Sequence, residues 1–400
     1  MPYGNTYRPD RLFLPQEKLL AFASDVPTPF FLYDEIGIRK SAQTVMGSFC
    51  RLPGHRSFFP LYANDAPAVV HLLREEGFGV LARSVPELLM AEAWGITGAD
   101  ILFHTPALTD EAVFHIRRLG CGFIFDAPGQ IEKLADHLPE VCLLRYHPEK
   151  PYTDPSFSAN SERNKSGMSR EQIISSAVRL AALGRGEIGL HCHLSGNAAE
   201  ERYYPTVARL LLELAQEIEE KTASHIGIID VGGGIGIPMK PKAPSVNLPK
   251  VGAMFREEYE LSCCKPVLYT ELGRWAVGRH GLLLSRVVEV RERGRRYLVL
   301  DATAASIPRL LLQRHHQSLS HVGNCTRSGR VVYSVQGCTA DAIDRFNDSA
   351  ILPPCVQGDL LALHHVGAYC RHQGGQSFMS GTYPAYLYTA DGRFLPVDNF

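Results

Sequence analysis

The sequence predicts an α/β chain in which a closed (β/α)8 barrel is followed by a β-domain, and three observations predict it. Eight short apolar runs lie between residues 58 and 272, each separated from the next by enough chain for a crossover helix, and eight is the number at which such a parallel sheet closes. Asn64, His193 and Glu271 stand at the C-terminal ends of these runs, the rim where barrels of this kind build their sites. Beyond about residue 276 the intervening helical stretches stop while strand-like runs continue. A doubly wound open sheet uses the same alternation, and it is the strand count and the polar rim that favour closure.

Taken in order, PFFLYDE at 29–35 has strand composition and is expected to join the β-domain before the barrel begins. The barrel runs start at Phe58, Phe78, Ile101, Gly122, Val141, Gly189, Ile226 and Pro266. Between them, 66–76, 85–93 and 170–183 read as helices, the second opened by a Ser84-x-x-Glu87 capping box. The segment Thr153–Ser169, rich in Ser, Asn and Pro, reads as a long loop over the mouth. LLLSRVVEVRER, RRYLVLDAT, GRVVYSVQG, GDLLALHHVG and PAYLYTADGRFLPV supply a C-terminal β-sandwich or β-barrel. Residues 39–275 are therefore assigned to the barrel, and 1–38 with 276–400 to the β-domain.

Composition bounds the function. Of the 400 residues, 45% are hydrophobic and 21% charged, enough for a large core and against disorder. Lysine plus arginine number 41 against 42 acidic residues, with no basic run, so nucleic acid and anionic membranes are not the expected partners. A small neutral or zwitterionic ligand is. The N-terminus lacks a signal-peptide layout and no apolar stretch is long enough to span a bilayer, which makes a cytoplasmic location the expectation. The ten cysteines are scattered without CxxC pairs, as reduced core thiols would be.

Four motifs carry chemistry. Asp230-Val-Gly-Gly-Gly-Ile-Gly236 closes a strand, and its consecutive glycines 232, 233 and 234 let backbone N–H groups surround a phosphate. An ordinary strand-to-helix turn is the competing reading, and the spacing is not that of a dinucleotide fingerprint. His191 and His193, two apart on a strand, point the same way and face the barrel interior. No third ligand stands nearby in sequence, so no metal is expected. Glu271-Leu-Gly-Arg274 ends the eighth strand with an acid that can pair with a protonated ring nitrogen, or else forms a surface ion pair with Arg274. In the β-domain, Gly337-Cys338-Thr-Ala-Asp341 and Gly-Ala-Tyr369 are bland on their own, since Cys and Tyr are commonly buried.

In this order the motifs resemble the diaminopimelate, ornithine and arginine decarboxylases, pyridoxal phosphate enzymes of the alanine-racemase-like fold type III, which pair a TIM barrel with a β-domain. The resemblance runs from about Pro29 to Tyr388. It implies that His193 stacks on the pyridine ring, that Gly232, Gly233 and Gly234 cradle the phosphate, and that Glu271 pairs with the ring nitrogen. Arg274 and Tyr369 become further phosphate or substrate contacts. Cys338 and Asp341 resemble the catalytic thiol and substrate-binding acid that one subunit inserts into its partner's site, which implies a dimer. Asn164-Lys-Ser-Gly-Met168 resembles the family's lysine-containing loop. Arg145, near the end of the fifth strand, is the candidate for a substrate carboxylate, with an ordinary ion pair as the alternative.

One departure outweighs these matches. Where the family's first barrel strand ends in lysine, alanine and asparagine, this chain has Tyr62, Ala63 and Asn64, and no lysine occurs between Lys40 and Lys133. Leu81 likewise replaces an aspartate usual near that lysine. A phenol cannot form a Schiff base, so pyridoxal phosphate is expected to be held non-covalently. Two functions follow from this. In one, lyase-type chemistry proceeds on an amino acid or its pyridoxal adduct, with Tyr62, Cys338 or His193 as proton donor. In the other, an inactive paralogue pairs with an active decarboxylase, as a heterodimer rather than a homodimer, and completes the partner's site. A sensor of the cofactor or its adducts is a third reading.

Overall fold

The computed structural model describes residues 11–148, 165–222, 224–239, 245–307, 317–323, 327–371 and 383–399. The predicted loop from Thr153 to Asn164 and Cys325 lie outside these. Eight parallel strands close a barrel in chain order: β2 (Arg56–Pro60), β3 (Gly79–Ala82), β4 (Ile101–His104), β5 (Gly122–Phe125), β6 (Cys142–Arg145), β7 (Glu187–His191), β8 (His225–Asp230) and β9 (Val267–Thr270). Closure is made by β9 on β2, where Arg56 pairs with Tyr269 and Ser57 with Thr270. All eight strands coincide with the predicted runs, five of them wholly inside, while β2, β7 and β8 begin one or two residues earlier, at Arg56, Glu187 and His225.

Strand alternation explains the packing. Phe58, Leu81, Leu102, Ile124, Leu143 and Tyr269 fill the bore, while their neighbours Phe59, Val80, Phe103 and Phe123 face the helices. Burying one such phenylalanine removes about 2–3 kcal/mol of apolar hydration cost. The surrounding helices are α2 (Glu35–Phe49), α3 (Pro67–Glu75), α4 (Val85–Ala93), α5 (Asp110–Leu119), α6 (Gly129–Leu134), α7 (Arg170–Ala182), α8 (Tyr203–Lys221) and α9 (Leu248–Leu261), with short α10 (Gly273–Val277) after β9. Their ends are set locally. Pro67 opens α3 with a φ already helical, Thr109 caps α5, and Gly120 ends α5 in the left-handed region at φ 63°. A full capping box forms at α7 between Ser169 and Gln172.

The box predicted at Ser84 is only half formed. Ser84 Oγ accepts from the N–H of Glu87, but Glu87 Oε2 accepts from the N–H of Arg83, 2.9 Å away, instead of that of Ser84. The Arg83 side chain draws the carboxylate back by one residue, its Nε lying 3.4 Å from Oε1.

The second layer is one nine-stranded mixed sheet. As predicted, the early strand β1 (Phe30–Asp34) belongs to it, pairing antiparallel with β10 (Gly281–Glu292) and parallel with β16 (Ala385–Tyr388). The long β10 also pairs with β11 (Arg296–Leu300) and β15 (Leu360–His364) and shifts register between Val287 and Glu289, where it passes from one part of the sheet to the other. The remaining strands are β12 (Leu319–Val322), β13 (Val331–Gln336), β14 (Arg345–Leu352) and β17 (Phe394–Pro396). Helix α1 (Gln16–Asp25) lays Leu19 and Ala23 on Phe30, Leu32 and Leu284 of this sheet. No helix among the described residues is long and apolar enough to cross a membrane.

Candidate active site

The C-terminal ends of the barrel strands converge on a buried polar cluster. His191 ends β7 and Asp230 ends β8, while Glu271 follows β9 directly, so closure alone brings them together. One ligand atom from each lies within 4.8 Å of the others, and His191 Nε2 is 3.5 Å from Glu271 Oε1. His191 Nδ1, Asp230 Oδ2 and Glu271 Oε1 are buried with no hydrogen-bond partner among the described residues. Burial, and then the charge of Glu271, raises Asp230 well above the usual carboxylate range, and burial likewise raises Glu271. Two carboxyl groups this close and dry do not both ionise, so the pair retains a proton at neutral pH.

The sequence offered no third partner for the histidines, whereas the structure supplies two acids. Arg145 places a positive charge near all three groups, and burial together with that charge keeps His191 neutral. The arrangement suits a shared proton facing a basic ligand atom.

The glycine turn is built against the strand-7 turn. A Cβ on Gly233 would meet Glu271 O at 2.4 Å, and one on Gly234, at φ 102°, would meet Ser195 O at 2.2 Å. Ala198 N–H donates to Gly234 O, and Tyr203 Oη accepts from the N–H groups of Leu194 and Ser195. Gly232 N–H is engaged by Asp230 Oδ1 at 2.8 Å and Gly233 N–H by His193 Nδ1 at 3.1 Å. Two of the three expected phosphate donors thus have protein partners. Burial, with Arg145 nearby, lowers His193 to about 3, so its ring is neutral.

Tyr62 is the central residue of the turn Leu61–Ala63 after β2 and packs on the bore cluster that includes Leu81. Its ring centroid is 5.6 Å from that of Tyr369 and 3.8 Å from the Arg83 guanidinium carbon. Burial, then the neighbouring Tyr369 and Glu271, push its phenol far above 10, so it holds its proton throughout the accessible range. Tyr369 is itself fixed: its N–H donates to Ala63 O at 2.6 Å, its φ is 61°, and the Arg274 guanidinium lies 4.7 Å from its ring centroid. Asn64 Nδ2 donates to Gly367 O, closing the same latch. Such a left-handed tyrosine persists only where its surroundings over-determine it.

Arg145, the candidate carboxylate reader, is already occupied. Its Nη1 lies 3.1 Å from His104 Nε2 and its Nε 3.8 Å from Asp126 Oδ1, while His104 Nε2 is 2.9 Å from the same Asp126 oxygen. Burial alone would raise Asp126, but the His104 hydrogen bond and Arg145 bring it below the ordinary range. Neither His104 nor Asp126 was singled out by sequence, because each ends an apolar run and only barrel closure shows that they face Arg145. Met168, which ends the lysine-containing stretch, returns to β6 through its N–H to Arg145 O, 2.8 Å away.

Cys338 and Asp341 are not brought to this cluster. They lie exposed on the β13–β14 loop, and no contact among the described residues links them to the barrel mouth. Buried Asp344 shapes that loop, accepting from the N–H groups of Ala304 and Thr339 and from Thr339 Oγ1. Burial, then Asp344, raises the Cys338 thiol, which stays protonated.

The fold and site thus define a closed parallel barrel with an acid pair, neutral histidines and a glycine turn at its rim, carrying a mixed sheet. Residues 38–278 match the pyridoxal-dependent decarboxylase, pyridoxal binding domain. The chain therefore belongs to the pyridoxal-dependent decarboxylase family. It is 27% identical to Protein TabA of Pseudomonas amygdali pv. tabaci over 93% of this chain and 88% of that protein. It is 25% identical to diaminopimelate decarboxylase of Methanothermobacter thermautotrophicus over 93% and 89%. The fold superposes on the crystal structure of the M. jannaschii diaminopimelate decarboxylase in complex with L-lysine with a TM-score of 0.86 at 20% identity, covering 95% of this chain and 91% of that one. The present residues fit the family's cofactor at its ring, through the unsatisfied buried oxygen of Glu271, and offer no amine at Tyr62 for a covalent bond.

Proposed function

We propose that the barrel mouth binds pyridoxal phosphate non-covalently, as an adduct with an amino acid, and supports lyase-type chemistry on that amino acid. The observation that carries this is the buried acid pair, Glu271 with Asp230, at a mouth where Tyr62 offers a phenol and no amine. When bound, pyridoxal phosphate supplies an electron-withdrawing ring that stabilises negative charge on the amino acid's α-carbon. Glu271 holds a proton toward the ring nitrogen, neutral His193 covers the ring, and Arg274 with Gly234 meets the phosphate. Of the three candidate proton donors, neutral His193 has none to give as an acid, and Tyr62 holds its proton too tightly. The Cys338 thiol, delivered by a second copy of the chain in a homodimer, is the remaining donor. Diaminopimelate, from the names of the relatives, is the first amino acid to test.

The purified protein, mixed with pyridoxal phosphate, should show only the free cofactor's spectrum shape; adding an amino acid should produce a new visible band and release of CO2. Absence of any saturable spectral change with adduct present refutes this reading.

A second reading is favoured by one observation. The loop carrying Cys338, Asp341 and Ile343 is exposed, with Ile343 58% accessible and no tie to its own barrel mouth among the described residues. This suits a chain whose task is to complete the site of an active decarboxylase in a heterodimer. Activity that appears only on mixing with an active family member, and vanishes in Cys338→Ala, separates it from the first.

A further inference from the structure

Arg83 directly follows β3, which puts it on the rim of the same mouth. Three contacts fix it. Its N–H is bound by Glu87 Oε2 at 2.9 Å, its Nε lies 3.4 Å from Glu87 Oε1, and its guanidinium stacks 3.8 Å over the Tyr62 ring. Neither terminal nitrogen has a hydrogen bond among the described residues, and the side chain is 48% exposed. The outcome is a pre-oriented pair of N–H donors at the pocket rim.

The other two guanidinia at the mouth are committed. Arg145 is held by Asp126 and His104, and Arg274, over the Tyr369 ring, is the guanidinium assigned above to the phosphate. The Tyr62 ring lies 3.8 Å from the Arg83 guanidinium carbon and 5.6 Å from the Tyr369 ring centroid, which sets Arg83 directly against the position where a covalent anchor would stand. Where relatives of this kind would carry a nucleophilic amine, this chain has an aromatic plane with a cation on it. A guanidinium stays charged and does not attack an aldehyde at neutral pH, but it grips a carboxylate with two parallel N–H donors. Stacking on Tyr62 lowers the conformational entropy lost on binding.

We infer that Arg83 is the specificity-determining residue of the pocket and reads a carboxylate of the ligand, so that the site takes the amino-acid adduct of pyridoxal phosphate in preference to an adduct lacking that carboxylate. This rests on the pocket reading given above.

Two stable secondary-amine probes test it: N-phosphopyridoxyl-alanine and N-phosphopyridoxyl-ethylamine, which differ only by the carboxylate. Calorimetric titration of the full chain should show the alanine probe binding roughly tenfold tighter, as expected for a partly exposed charge-assisted pair. In Arg83→Gln the ratio should fall to about one, with part of the preference kept in Arg83→Lys. An unchanged ratio in Arg83→Gln, with both probes still bound, overturns the assignment and leaves the pocket reading standing. If neither probe binds the wild-type protein, the pocket reading itself fails and the role of Arg83 with it.

Discussion

Replacing Tyr62 by lysine asks whether everything but the anchor is intact. The new amine would sit in the Tyr62 position, on the bore cluster that includes Leu81 and near the Arg83 and Arg145 guanidinia. A free lysine titrates near ~10.4; burial and two like charges lower it by about 2–3 units, to roughly 8. The opposing charge is Glu271, which keeps a shared proton with Asp230 and offsets little. Loss of the Arg83 stack costs about 1 kcal/mol, so the variant should stay folded. Tyr62→Lys mixed with pyridoxal phosphate should therefore develop a visible band that borohydride fixes to the protein, half-formed near pH 8, about two units below a free amine. A folded variant that never develops the band would show that ring and phosphate contacts are not there to hold the cofactor. A band that forms only above about pH 10 would refute the electrostatics of the mouth.

Two further outcomes check the scaffold. Gly234→Ala should cost roughly 2–4 kcal/mol in denaturant unfolding, because its Cβ would lie 2.2 Å from Ser195 O and its φ is 102°; Gly98→Ala, at φ 62° with nothing within 4 Å, should cost only about 1 kcal/mol. Asp34 is raised to about 6, chiefly by burial. The native state thus keeps a proton that the unfolded chain releases near ~4, and stability falls as pH rises from about 4 to about 6. Asp34→Asn should match the wild type at pH 4 and exceed it by up to about 3 kcal/mol at pH 7 in urea titrations; parallel curves for the two proteins would contradict this.

The barrel was legible because each of its strands has a short apolar segment buried on both faces, as residues 58–60, Gly79–Ala82 and Gly122–Phe125 show. The β-domain was less so. Strand β12 was missed because it is only four residues long and Leu319, Ser320 and His321 are only partly buried, and β14 because Phe346, Ala350 and Leu352 alternate with exposed or partly exposed residues across register shifts against β13. At the site, motif residues next to one another in sequence were visible, and Glu271 with His193 was read on that basis. What spacing cannot convey is who faces whom across a closed barrel. The Arg145, His104 and Asp126 triangle draws on β6, β4 and, just beyond its end, β5, and Asp230 looked like a mere prelude to the glycines. Arg83 was hidden for the same reason, since its stack on Tyr62 joins the ends of two separate strands.

The most direct test is reversible binding of pyridoxal phosphate to the wild-type chain. Saturation should be reached at one cofactor per chain, dialysis should remove it completely, and borohydride treatment should leave the protein's mass unchanged. A cofactor that borohydride locks onto the polypeptide, or a chain that shows no saturable uptake with or without an amino acid, would contradict the account.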